Sequence, residues 1–170
     1  MLLRLAKLAL VASVAFFLLL VGFNNLTDYD SNFQFVRHVL SMDTSFPGNR
    51  LMWRALTAPA IHHAFYAGII LWEFAAGGLI ATGVVKMWQA RRAPLAAWQQ
   101  AKSLATAGLV LSLLQWFVAF ITVGGEWFVM WQSKIWNGQD AAFRMFTILG
   151  IILLFLHQPE EKPAEPAAAP

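Results

Sequence analysis

The whole of Leu8 to Thr27 carries no charge, and a run of that length constrains the fold more than any other feature of the chain. A helix needs roughly 20 apolar residues to cross the hydrocarbon core of a bilayer, and inside that core every backbone polar group must be paired within the protein. Further apolar runs lie within Thr57 to Val85, from Ser103 to about Gly125, and from Ala141 to His157. Charged residues make up only 12% of the chain and apolar residues 59%, against about 25% charged in ordinary soluble domains. So few charges cannot coat a soluble protein of this size. The expected fold is an all-α membrane protein, a four-transmembrane-helix bundle forming a single domain over residues 1–158. Its spans are expected at about 8–27, 57–85, 103–125 and 141–157.

Two of these runs admit a second reading. Arg4 and Lys7 precede the first run, as they would in a secretory signal peptide. Such peptides have a shorter apolar centre, about 7–15 residues, and end in a small-x-small cleavage site. Here the run ends Val21-Gly22-Phe23-Asn24-Asn25, which favours a retained anchor. Met145 to Leu156 alone is too short to span. Extended back through Ala141, Ala142 and Phe143, with Arg144 snorkelling to the interface, it reaches the required length. A re-entrant segment is the alternative.

The loops set the orientation. Lys86, Arg91, Arg92 and Lys102 occur between the second and third spans without an acidic residue, and the N-terminus is also purely basic. Segments 28–54 and 126–144 mix both signs. By the positive-inside rule both termini are expected in the cytoplasm and the two long segments outside. The Pro-, Ala- and Glu-rich stretch 159–170 reads as a disordered tail.

Both outer segments carry pattern. Phe33, Val36, Val39 and Leu40 recur at helical spacing and predict an amphipathic helix on the outer surface. Trp127, Phe128, Trp131 and Trp136 form an aromatic segment between spans three and four. It reads either as an interfacial aromatic belt or, together with Phe33 and Val36, as a surface that docks a partner.

Glu73 stands inside the second apolar run, where a carboxylate normally faces a partner or a cavity. Counting from the inner ends of spans two and three puts Glu73 and Gln115 each roughly 18 Å deep. If these helices are adjacent and antiparallel, the two residues form an intramembrane polar pair. The alternative is a proton or cation relay at Glu73. His62 and His63 lie at the outer end of span two and His157 at the inner end of span four, so no pair of them can bracket a haem. His38, His62 and His63 are weak candidates for an outward metal or cofactor site, and ligand type alone is poor evidence for one. No cofactor is expected. The chain has no cysteine, which excludes disulfides, thiolate nucleophiles and iron–sulfur ligation. It also has no Gly-rich phosphate loop, nucleophile elbow or HExxH sequence.

Four strings taken together resemble a known family: Phe35-Val36-Arg37-His38-Val39-Leu40-Ser41-Met42-Asp43, Trp72-Glu73-Phe74-Ala75-Ala76-Gly77, Gly124-Gly125-Glu126-Trp127-Phe128-Val129-Met130-Trp131-Gln132 and Trp136-Asn137-Gly138-Gln139. From about Leu8 to Gln158 the chain resembles the bacterial predicted small integral membrane proteins grouped as domain of unknown function 2165. The resemblance implies a four-span protein of the bacterial inner membrane and carries no activity or catalytic residues with it. The expected function is non-enzymatic: an accessory or assembly subunit of a membrane complex, contacting lipid and either a membrane-protein partner or copies of itself. The alternatives are a small oligomeric transporter or channel with its relay at Glu73, and the histidine site.

Overall fold

The computed structural model describes residues 1–160; the expected disordered tail lies outside the described residues from 161 onward. Helix α1 (Leu2–Thr27) is followed by α2 (Tyr29–Ser41) and a short 3-10 turn, Met52–Arg54. Helix α3 (Pro59–Ala90) comes next, then α4 (Leu95–Ala101) and α5 (Ser103–Leu114). The chain continues as a π-helical segment, Gln115–Trp127, a second 3-10 turn, Met130–Gln132, and α6 (Gln139–His157). Four helical stretches are long and apolar enough to cross a membrane: Leu2–Thr27, Pro59–Ala90, Leu95–Trp127 and Gln139–His157. The protein is an all-α membrane bundle.

Local chemistry explains several boundaries. Pro59 occupies the first turn of α3, where its missing N–H would have had no partner and its fixed φ suits a helix. Helix α2 ends at Met42, whose φ of 53° places it in the left-handed region that closes many helices. The third span starts earlier than its apolar run suggests, because α4 continues into α5 through Lys102, which is buried.

Helix α3 is the hub, packing on α1, α2, α4 and α5. In the half of the bundle nearest the chain termini, Val11, Ala15 and Leu18 of α1 pack with Ala76, Ile80 and Met87 of α3, Ala105 and Leu109 of α5, and Leu149 and Leu156 of α6. Glycine makes the α3–α5 contact close. A Cβ on Gly83 would collide with the backbone of Ala105, and one on Gly108 would meet Ile80 and the Ala76 carbonyl. These small positions let the backbones touch. Gly68 and Gly78, also on α3, have open space where a Cβ would be. At the other end α2 turns its apolar face into the protein: Phe33, Val36, Val39 and Leu40 pack with Tyr66 and Ile70 of α3 and with Phe128, Val129 and Met130.

An ionic latch closes the terminal end. Glu160 Oε1 accepts from Lys7 Nζ at 2.6 Å and from Lys102 Nζ at 2.7 Å, and all three side chains are buried. Lys7 also donates to the Gln158 carbonyl, and Lys102 to the Leu156 carbonyl and Gln99 Oε1. One carboxylate thus joins α1, the α4–α5 junction and the end of α6. Nearby, Arg4 donates to the Ala93 carbonyl at 2.7 Å. Burial alone would raise the Glu160 carboxyl, but the hydrogen bonds from Lys102 and Lys7 outweigh it and hold the group at about 2, below its ordinary 4.5.

Glu160→Gln leaves two buried ammonium groups without their counter-charge and should destabilise the detergent-solubilised protein by about 3–5 kcal/mol, the range for breaking a buried pair. Because the folded carboxyl is depressed, its contribution is complete above about 4.5 and is lost as pH falls toward about 2. Thermal melts of the wild type should therefore fall across that window more steeply than melts of Glu160→Gln.

Candidate functional site

Glu73 lies near the midpoint of α3 with its side chain 3% exposed. A carboxylate at this depth needs donors from the protein, and the nearest comes from α1. Asn25 Nδ2 donates to Glu73 Oε2 at 2.8 Å, and Asn32 Nδ2 donates to Asn25 Oδ1 at 2.7 Å. The result is a directed file of amides from exposed Asn32 on α2, through buried Asn25 on α1, to the carboxylate. The Tyr66 hydroxyl donates to the Asn25 backbone carbonyl at 3.3 Å and steadies that end of α1.

Gln115 is 1% exposed and lies beside Glu73. Its side-chain amide faces Glu73, while Ser112 Oγ and Trp116 Nε1 have no hydrogen-bond partner among the described residues. Ser112, Gln115 and Trp116 share one helix face, at i, i+3 and i+4. Here the winding of the helix changes. From Gln115 the backbone is π-helical, and the Phe128 N–H reaches the Val123 carbonyl five residues back at 3.0 Å. Such winding is rare and is frequent at functional sites. Trp72 Nε1 donates to the Leu111 carbonyl at 2.9 Å and ties α3 to α5 just before the change.

Beyond this point the helices separate around two cavities. The first, about 420 Å³, has exposed Ser31, Asn32 and Asn137 at its mouth and Glu73 and Asn25 at its floor. Aromatic rings wall it in a file: Trp116 and Phe120 are 4.8 Å apart, Phe120 and Phe35 6.1 Å, and Phe35 and Trp136 6.4 Å. The second, about 380 Å³, is lined by apolar side chains of α2, α3, the π segment and the turn that follows it, among them Phe65, Trp72, Val118, Phe128 and Met130. Phe35, Val36, Ile69 and Phe120 line both cavities, which therefore abut. Val129, between Phe128 and Met130, has φ 46°, a strained conformation for a β-branched residue. Its two neighbours are both buried.

The aromatic residues singled out from the sequence divide by burial. Phe33, Val36 and Phe128 are buried against α3, so they are not available as a docking face: α2 covers protein with its apolar side. Trp127 and Trp131 are 47% and 46% exposed. Trp127 meets Trp53 edge to face at 5.9 Å, with the Arg54 guanidinium 4.6 Å from the Trp127 ring. Trp136 stacks on His38 at 4.8 Å.

The three histidines are held separately. His38 Nδ1 pairs with Asp43 at 2.8 Å, His62 Nε2 with the Leu56 carbonyl at 2.6 Å, and His63 Nδ1 with the Tyr29 hydroxyl at 2.8 Å. Among the described residues no group of three or more His, Asp or Glu side chains is close enough to hold a metal ion.

Asn25 and Asn32 are the site residues that sequence reasoning missed. Asn25 reads as the polar edge of an apolar run, yet it falls on the same helix face as Leu18 and Gly22, seven and three residues back. Leu18 and Gly22 are buried, and that shared face is the signal that could have found Asn25.

Residues 3–159 match the family described as predicted small integral membrane protein, domain of unknown function 2165. No curated protein and no solved structure matches the chain.

Asn25→Leu removes the donor to Glu73 and should lower stability by about 1–3 kcal/mol, the cost of a buried group left unpaired. Glu73→Gln keeps an acceptor for Asn25 Nδ2 and should melt closer to the wild type. Thermal unfolding in detergent, followed by circular dichroism, checks both.

Proposed function

The chain belongs to that family of small integral membrane proteins, and on that premise we propose that it is a non-enzymatic accessory subunit of a bacterial inner-membrane complex, one that binds a polar group in the Glu73 chamber and does not conduct it. The observation that carries this reading is that the chamber is closed toward the chain termini. Toward the termini it stops at Glu73, because Ala76, Ile80, Ala105 and Leu109 fill the bundle behind it with no exposed surface. A pathway across the membrane needs an exit at that end, and the close α3–α5 contact at Gly83 and Gly108 occupies the space it would use.

In this reading both termini and the basic loop of Lys86, Arg91 and Arg92 face the cytoplasm, so the chamber opens outward. The exposed rings of Trp53, Trp127 and Trp131, with half-buried Arg54 among them, supply at the same end the surface for a membrane-protein partner, and aromatic residues and arginine are the types enriched at such interfaces.

Since the chain has no cysteine, single cysteines report access without background. In sealed vesicles Asn137→Cys should react with a membrane-impermeant thiol reagent from the outer side, whereas Ile80→Cys should react from neither side. Proteoliposomes should pass protons and monovalent cations no faster than empty vesicles, with or without Glu73→Gln. Labelling of Ile80→Cys from the inner side, or flux that Glu73→Gln abolishes, would replace the binding role with a transport one.

A further inference from the structure

We infer that the two abutting cavities bind a single amphiphile: a flat head carrying hydroxyl groups, of the hydroquinone type, in the Glu73 chamber, and its long apolar chain in the cavity between α2, α3 and the π segment. The inference rests on the binding reading above and names the class of ligand.

Three features select the ligand. First, no Lys, Arg or His lines either cavity, so a phosphate or carboxylate head would meet Glu73 with no counter-charge, which is unfavourable in a low-dielectric site. Second, the polar part of the lining offers both kinds of hydrogen-bonding atom. Glu73 can accept, while the side-chain amides of Asn32 and Asn137 in the same lining carry both donor and acceptor atoms. An ammonium head has only donors, whereas a hydroxyl both donates and accepts and can answer both sets. Third, the wall running through Trp116, Phe120, Phe35 and Trp136 is a row of rings at stacking separations, against which a flat ring gains offset-stacked contact.

The chain has its own place. The second cavity reaches the outer surface of the bundle at Phe65, Gly68 and Val118, all exposed, at a position along the spans where lipid lies. A Cβ on Gly68 would meet no atom within 4 Å, so this glycine widens the cavity and does not serve helix contact. Both volumes fall within about 300–1,000 Å³, the range of small-molecule sites. Strained Val129 holds Phe128 and Met130 in the apolar lining, so the cavity is formed before a ligand arrives.

The test is a titration of delipidated full-length protein in nanodiscs, read by quenching of tryptophan fluorescence, since Trp72, Trp116 and Trp136 all line the cavities. The probes are a decyl-substituted hydroquinone, the same head without its chain, decylamine and decanoate. Saturable binding of the decyl hydroquinone is expected, at least about tenfold tighter than that of the other three. Gly68→Phe should fill the chain cavity and weaken it about tenfold, and Asn137→Leu, which removes one amide from the head cavity, should do likewise. Circular dichroism melts confirm that each variant is folded; if Gly68→Phe is not, Gly68→Leu replaces it. Equal binding of decylamine overturns the hydroxyl assignment, and equal binding of the bare head overturns the chain site. Absence of saturable binding by any probe, with Asn137→Cys still labelled only from outside, overturns this inference while leaving the chamber closed toward the termini standing.

Discussion

A carboxylate halfway along a membrane-crossing helix must be hydrogen-bonded from within the protein, and the arrangement of this bundle follows from how Glu73 is served. The donor, Asn25, is on a different helix. Helix α1 must therefore lie against α3 in the register that brings Asn25 to Glu73, and in that register Leu18 and Leu19 pack over Gly77 and Phe74 over Gly22. Asn32 donates in turn to Asn25, which fixes α2 across the end of α1. A single buried acid thus sets the position of two helices, and packing of apolar side chains fills in around them.

The bundle has two halves with opposite character. Toward the termini glycine brings α3 and α5 into backbone contact, and the Lys7–Glu160–Lys102 latch ties the ends together. Away from them the third span unwinds into a π helix at Gln115, level with Glu73. The wider winding moves its side chains off α3 and creates the cavities. The closed half gives the site a rigid base, and the open half gives it volume and an entrance at the α2 end. Two halves built this way suit a binding pocket better than a conduit.

Much of the architecture was legible in the sequence because bilayer length and low charge leave few options. The four membrane-crossing helices, α2 and the neighbouring depths of Glu73 and Gln115 followed from run length and helical rise. The destination of the apolar face of α2 did not. Periodicity shows that Phe33, Val36, Val39 and Leu40 share a face, but lipid and protein are equally apolar neighbours. Lys7, Lys102 and Glu160 were misleading for a related reason: basic residues flanking a span read as orientation signals and an acidic one near a Pro-Ala tail as solvated, while their mutual pairing depends on tertiary contact. The π winding left no local signature, and Asn25 was hidden by its place at the end of an apolar run.

The central claim is that Glu73 is the floor of an outward-opening chamber built to hold a donor from a ligand. An experimental structure of the protein in nanodiscs, determined with the decyl hydroquinone present, tests it most directly. The account predicts density for a flat head within hydrogen-bonding distance of Glu73, bounded by Trp116 and Phe120, with a chain leading past Gly68. A chamber filled by repacked side chains, or a continuous water file running past Glu73 to the terminal end, would contradict it.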